Sequence, residues 1–224
     1  MSLLLIGIAF IIAVIDWVAV SFQWKKIEYI AKPGVILALI AWLIINDGFQ
    51  GQLLFFIIGL IFSLAGDIAL MLPKGSFIAG LIFFLVAHIF YIIGFNVTIP
   101  QFSFAGFVIL ILISINAVEI SRRIIKGCAA QGRDNLQIPV VLYTIVISLM
   151  VYSALLTLIR PNSEWIPLAS LLVSFGAILF YISDALLSWN KFVTPIKNGN
   201  LFAIVTYHIA QITIILGAGI NFFT

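Results

Sequence analysis

Polar residues along this chain gather into short clusters, and the stretches between them are almost wholly apolar. The apolar stretches run over roughly residues 2–22, 33–46, 52–72, 77–97, 102–118, 138–159, 166–189 and 201–223. Most are long enough for a helix rising about 1.5 Å per residue to cross about 30 Å of hydrocarbon. The second is short. Either it begins earlier, near Glu28, with a kink at Pro33, or it crosses where other helices shield its ends. The pattern predicts an all-α polytopic membrane protein with eight transmembrane helices. With so little loop, residues 1–224 read as one transmembrane domain.

Composition removes the water-soluble alternative. Hydrophobic residues make up 64% of the chain and charged residues 8%, whereas soluble domains carry about 25% charged residues. The first stretch has no basic leader and carries Asp16 near its end, so it reads as a retained span rather than a cleaved signal. Ile-rich spans, short loops and the lack of a targeting segment suggest a bacterial cytoplasmic membrane.

The loop charges predict an orientation. Lys25, Lys26, Lys32, Lys74, Arg122, Arg123, Lys126, Arg133, Lys191 and Lys197 fall on one side, and of the basic residues only Arg160 falls on the other. The positive-inside rule makes the basic side cytoplasmic and puts both termini outside. The net charge of +3 therefore reads as topology and anionic-lipid contact. No nucleic-acid motif is present. Cys128 is the single cysteine, so no internal disulfide can form, and with no His pair at i, i+4 no metal is expected.

Against this background two acids stand out. Asp67 lies in GDIALML (66–72) and Asp184 in SDALLSW (183–189), each eight residues after a glycine, Gly59 and Gly176. A carboxyl inside a lipid-embedded helix costs about 2.5–3.5 kcal/mol on insertion scales, which marks it as a candidate functional group. Asp67 is six residues from Pro73, or about 9 Å of helix rise, and Asp184 is at similar depth. Both are thus expected just below the cytoplasmic head groups. His88 is about 16 Å into its span, near the midplane. Asp16, beside Trp17 and Trp24, reads as structural or as a supporting partner of the site. Glu119 reads as a surface residue.

The spacing also suggests a duplication. Asp67 and Asp184 are 117 residues apart, and His88 and His208 are 120 apart. Four intervening spans would make the copies parallel, with halves 1–118 and 138–224 in a 4+4 repeat. Residues 119–137 read as a basic, solvated cytoplasmic linker. Further polar side chains lie on the same spans: Tyr91 one turn after His88, Tyr143 and Tyr152 in the sixth span, and Tyr207 with Gln211 on one face of the eighth. Lys32 precedes Pro33 at the cytoplasmic mouth, where it can snorkel to the interface or grip a phosphate.

The strings Lys32-Pro33, GDIALMLP (66–73), FFLVAHIFY (83–91), YTIVISLM (143–150), FYISDALL (180–187) and YHIAQ (207–211) resemble the lysoplasmalogenase family of integral membrane hydrolases. The resemblance runs in order over nearly the whole chain, and eight spans fit the family. It implies cleavage of the vinyl-ether bond of lysoplasmalogens, giving a fatty aldehyde and glycerophosphoethanolamine or glycerophosphocholine, with no cofactor. One departure is His208, where a second aromatic residue is usual, so the resemblance gives His208 no catalytic role.

The chemistry suits paired carboxyls. A vinyl ether is hydrolysed by protonating its β-carbon, and water then traps the oxocarbenium ion as a hemiacetal that collapses. Asp67 and Asp184 are expected to act as acid and as carboxylate, as paired carboxyls do in glycosidases. Lys32, His88, Tyr91, Tyr143, Tyr207 and Gln211 are expected to bind substrate or orient the acids. The expected partners are an alkenyl lysophospholipid and membrane lipids, with the site toward the cytoplasmic leaflet. The rival reading is a small proton-coupled transporter using the same aspartates, and a third is a lipid-binding scaffold without turnover.

Overall fold

In lipid no solvent satisfies exposed backbone, so each span must close its own hydrogen bonds as a helix. The computed structural model describes residues 3–46, 48–72, 77–96, 102–160 and 165–223. Among them, eight α-helices are long and apolar enough to cross a membrane. They are α1 (Leu4–Ser21), α2 (Lys25–Ile45), α3 (Leu53–Met71), α4 (Phe77–Phe95), α5 (Phe104–Ala130), α6 (Gln137–Leu156), α7 (Pro167–Phe192) and α8 (Gly199–Phe222). Pro73 and Lys74, invoked above for the end of the third span and its loop charge, lie outside the described residues.

Two boundaries differ from the sequence reading. The second span is not short: α2 starts at Lys25 and carries Pro33 inside it. Proline there has no amide hydrogen to offer the carbonyl of Tyr29 one turn earlier. The expected solvated linker is largely helical. α5 continues to Ala130, and a 3₁₀ turn (Asp134–Leu136) leads into α6. Its end packs rather than floats. Cys128, Ile124, Leu136, Val140 and Phe192 form a small buried cluster, and the Gln131 side-chain amide donates to the Phe192 carbonyl at 3.2 Å. An apolar stripe (Ile120, Ile124, Cys128) runs through the basic segment, and it supplies the buried face.

The helices form a closed ring in the order α1, α2, α3, α4, α6, α7, α8, with α8 drawn inward to touch α2 and α3 as well, and α5 outside against α6 and α7. Side chains facing out are apolar, as lipid requires: Phe10, Ile11, Val14 and Ile15 on α1, and Phe107, Ile111, Leu112 and Ile115 on α5 are exposed.

Small residues set how closely the helices approach. A Cβ on Gly59 would strike the Tyr91 ring of α4, and one on Gly176 would lie 2.8 Å from the Ala210 carbonyl oxygen of α8. The two glycines eight residues before each acid thus seat α3 on α4 and α7 on α8. Asp67 and Asp184 are held about two turns beyond those contacts.

Candidate functional site

At the end of the bundle where the basic loops lie, the helix ends part around a cavity of about 880 Å³. Its walls come from the ends of α1, α3 and α7 and the starts of α2 and α8. Asp67, Asp184, Lys32 and Tyr207 all line it. Two acids from helices far apart in sequence therefore face one space.

Asp67 is fully buried. Lys32 Nζ lies 3.0 Å from its Oδ1, and the Tyr207 hydroxyl donates to its Oδ2 at 2.7 Å. Behind Tyr207, the Gln211 amide donates to the Tyr207 oxygen at 3.4 Å, and Tyr91 donates to Gln211 Oε1 at 2.7 Å. Three helices thus hold the α3 carboxyl: α2 by charge, α8 directly, and α4 through α8. One oxygen accepts a hydrogen bond and the other faces the Lys32 ammonium, surroundings that favour the carboxylate over the neutral acid.

Asp184 has a different set of neighbours. The Tyr143 hydroxyl of α6 donates to its Oδ2. His88 Nε2 of α4 is 3.0 Å from the Tyr143 oxygen and 3.4 Å from Asp184 Oδ2. With the tyrosine proton directed at Asp184, the imidazole donates through Nε2–H, and Nδ1 is its lone-pair side. The Asp184 side chain keeps 15% exposure, whereas that of Asp67 has none. Asp184 lies within electrostatic reach of Asp67 across the cavity.

An aromatic cluster separates the two networks. Phe84, Phe180 and Tyr207 pack edge to face with centroids 5.3–6.1 Å apart, and His88 packs on Phe180 at 4.7 Å. These rings fix His88 and Tyr207 by packing as well as by hydrogen bonds.

Lys32, His88, Tyr91, Tyr143, Tyr207 and Gln211 each fall in one of these networks, but not all face the cavity, and Tyr152 is in neither. His88, Tyr91, Tyr143 and Gln211 stand behind the lining and hold the groups that form it. Lys32 reaches Asp67 rather than standing free at the mouth.

Asp16 received less weight from its sequence context than its surroundings warrant. It is fully buried, neither carboxyl oxygen has a hydrogen-bond partner, and it lies within electrostatic reach of Lys32 and Asp67. His208 is buried beside the site, with Nδ1 accepting from the Trp17 indole at 3.2 Å. Phe84 and Phe180 had no signal that distinguished them from the other phenylalanines. No group of three or more His, Cys, Asp or Glu among the described residues is placed to hold a metal.

Comparison with known proteins places these features in a family. Residues 27–218 match the model of the YhhN family. Among curated proteins, the chain is similar to "Lysoplasmalogenase TMEM86B" of Homo sapiens, 26% identical over 88% of this chain and 77% of that protein. It is 28% identical to the protein of the same name from Mus musculus, over 90% and 79%. "Lysoplasmalogenase TMEM86A" of Homo sapiens is 29% identical over 72% and 63%. No solved structure matches the chain.

Proposed function

The chain belongs to the YhhN family, and on that premise we propose that it is a membrane hydrolase that cleaves the vinyl-ether bond of alkenyl lysophospholipids. The observation that carries the proposal is the meeting of Asp67 and Asp184 at one cavity, each supported by a different hydrogen-bond network. The relatives' names supply the substrate class.

In this reading Asp184 is the acid. Its carboxyl delivers a proton to the β-carbon of the vinyl ether, and the π electrons form the new C–H bond. The positive charge that results is shared between the α-carbon and the ether oxygen. Asp67, ionised beside Lys32, stabilises that oxocarbenium ion and then takes a proton from the water that attacks the α-carbon. Asp67 returns that proton to the glycerol oxygen as the hemiacetal C–O bond breaks, which releases the alcohol and leaves an aldehyde. The hemiacetal's hydroxyl proton passes to Asp184, which Tyr143 and His88 hold at the cavity wall, and restores it. One water is consumed and no other reactant is needed.

A lysolipid suits the cavity's position. Its head group stays at the mouth, the glycerol reaches the acids, and the alkenyl tail enters the apolar bundle. The cytoplasmic orientation of the mouth is part of the proposal and follows from the basic loops.

The test is aldehyde release from a lysoplasmalogen by detergent-purified protein. Asp67→Asn and Asp184→Asn are each expected to lower kcat by about 10²–10⁴, the range of acid–base catalysis. Full activity in either folded mutant would sink the two-carboxyl mechanism. Proton-linked flux in liposomes without aldehyde would favour transport instead.

A further inference from the structure

The mouth of the cavity holds a charged pair that the acid chemistry leaves unused. Lys25 and Glu28 lie one turn apart at the start of α2, and both line the cavity. Lys25 Nζ donates to Glu28 Oε2 at 2.7 Å. The lysine side chain is 66% exposed and the glutamate 16%. The carboxylate is therefore set into the wall, while the ammonium reaches into water. Such a pair exchanges readily, because an ion pair with an exposed partner contributes little by itself. The rest of the rim is polar: Ser21, Gln23, Asn198 and Asn200 line it. Asn190 braces that rim, accepting from the Ile196 amide at 2.8 Å and donating to Asn200 at 2.7 Å.

Resting on the lipid-hydrolase reading, we propose that Lys25 and Glu28 form a head-group subsite selective for phosphoethanolamine, with phosphate on Lys25 and the primary ammonium on Glu28. A zwitterion can replace each member of the resting pair with its own opposite charge. Of the two lysines among the residues that line the cavity, Lys25 is the one placed to take the phosphate, because its exposed pair with Glu28 can exchange while Lys32 is held by the buried Asp67 at 3.0 Å.

Selectivity follows from what the rim offers. A primary ammonium brings three N–H donors, and a carboxylate accepts them as charge-assisted bonds. A trimethylammonium has no donor and is recognised by aromatic faces. Of the cavity's aromatic side chains, Phe84 and Tyr207 are buried beside the acids and only Tyr29 is exposed. One ring is no cage.

The experiment compares kcat/KM for alkenyl lysophosphatidylethanolamine and alkenyl lysophosphatidylcholine in the native protein, Glu28→Gln and Lys25→Met, each checked for native-like thermal unfolding. The native protein is expected to favour ethanolamine by about tenfold, the effect of one charge-assisted bond. Glu28→Gln should bring the ratio near one, chiefly through KM. Lys25→Met should weaken both substrates alike and keep the ratio. Equal native values, or a Glu28→Gln loss shared by both head groups, overturn the proposal. A second arm measures binding of saturated alkyl-ether lysolipids with the same two head groups, which carry no vinyl ether. If neither alkenyl substrate yields aldehyde, the hydrolase reading fails, and this arm still decides the subsite. Glu28-dependent preference for ethanolamine supports it, and equal binding overturns it.

Discussion

Breaking the Lys32–Asp67 pair from its two ends should have unequal consequences. At 3.0 Å the gross attraction is about 5 kcal/mol for an effective dielectric of 20. Much of that offsets the cost of desolvating the two charges. Lys32→Met leaves a fully buried carboxylate with the Tyr207 hydroxyl as its remaining donor. Removing one partner of a buried pair costs about 3–5 kcal/mol. Asp67→Asn is milder. The Lys32 side chain is 13% exposed, so its ammonium can turn to water in the cavity, and the asparagine oxygen can still accept from Tyr207. A loss of about 1–2 kcal/mol is expected there. In the double mutant neither charge is stranded, and the cost should fall short of the sum by about 2 kcal/mol. The assay is a double-mutant cycle on reversible unfolding in mixed micelles, with thermal midpoints as a check on rank order. If Lys32→Met costs no more than Asp67→Asn, the buried-carboxylate reasoning is wrong. Additivity within about 0.5 kcal/mol would refute the pairing itself.

Three further outcomes are expected. Tyr143→Phe removes the donor to Asp184 and the partner of His88, so kcat for aldehyde release should fall about 10–100-fold with little change in KM, short of the loss from removing an acid. Gly176→Ala forces a Cβ to 2.8 Å from the Ala210 carbonyl and should destabilise by about 1–3 kcal/mol through overpacking, read as a lowered midpoint of unfolding. Lys197→Cys in a Cys128→Ser background puts one thiol on the exposed α7–α8 turn. It should react with an impermeant maleimide in inside-out vesicles and stay unreacted in intact cells; the reverse would invert the orientation.

Much of this protein could be read from its sequence because lipid simplifies the problem. Backbone bonds must close within each helix, so length and apolarity locate the spans without tertiary knowledge. The cost of a carboxyl in hydrocarbon singled out Asp67 and Asp184. What stayed hidden was which faces meet. Lipid tails are as apolar as a helix interface, so hydrophobic pattern does not tell inside from outside. That is why Phe84 and Phe180 could not be told from lipid-facing phenylalanines, and why Asp16, read as structural or supporting, gave no sign that it is fully buried. The α5 extension was missed because its basic face masked the apolar stripe that packs on α7. The sequence by itself determined the eight helices and the two acids. Only tertiary packing decided that Lys32 meets Asp67, that Tyr143 and His88 serve Asp184, and that Lys25 and Glu28 guard the mouth. Those pairings join residues up to 96 positions apart, and they depend on the order in which the helices pack.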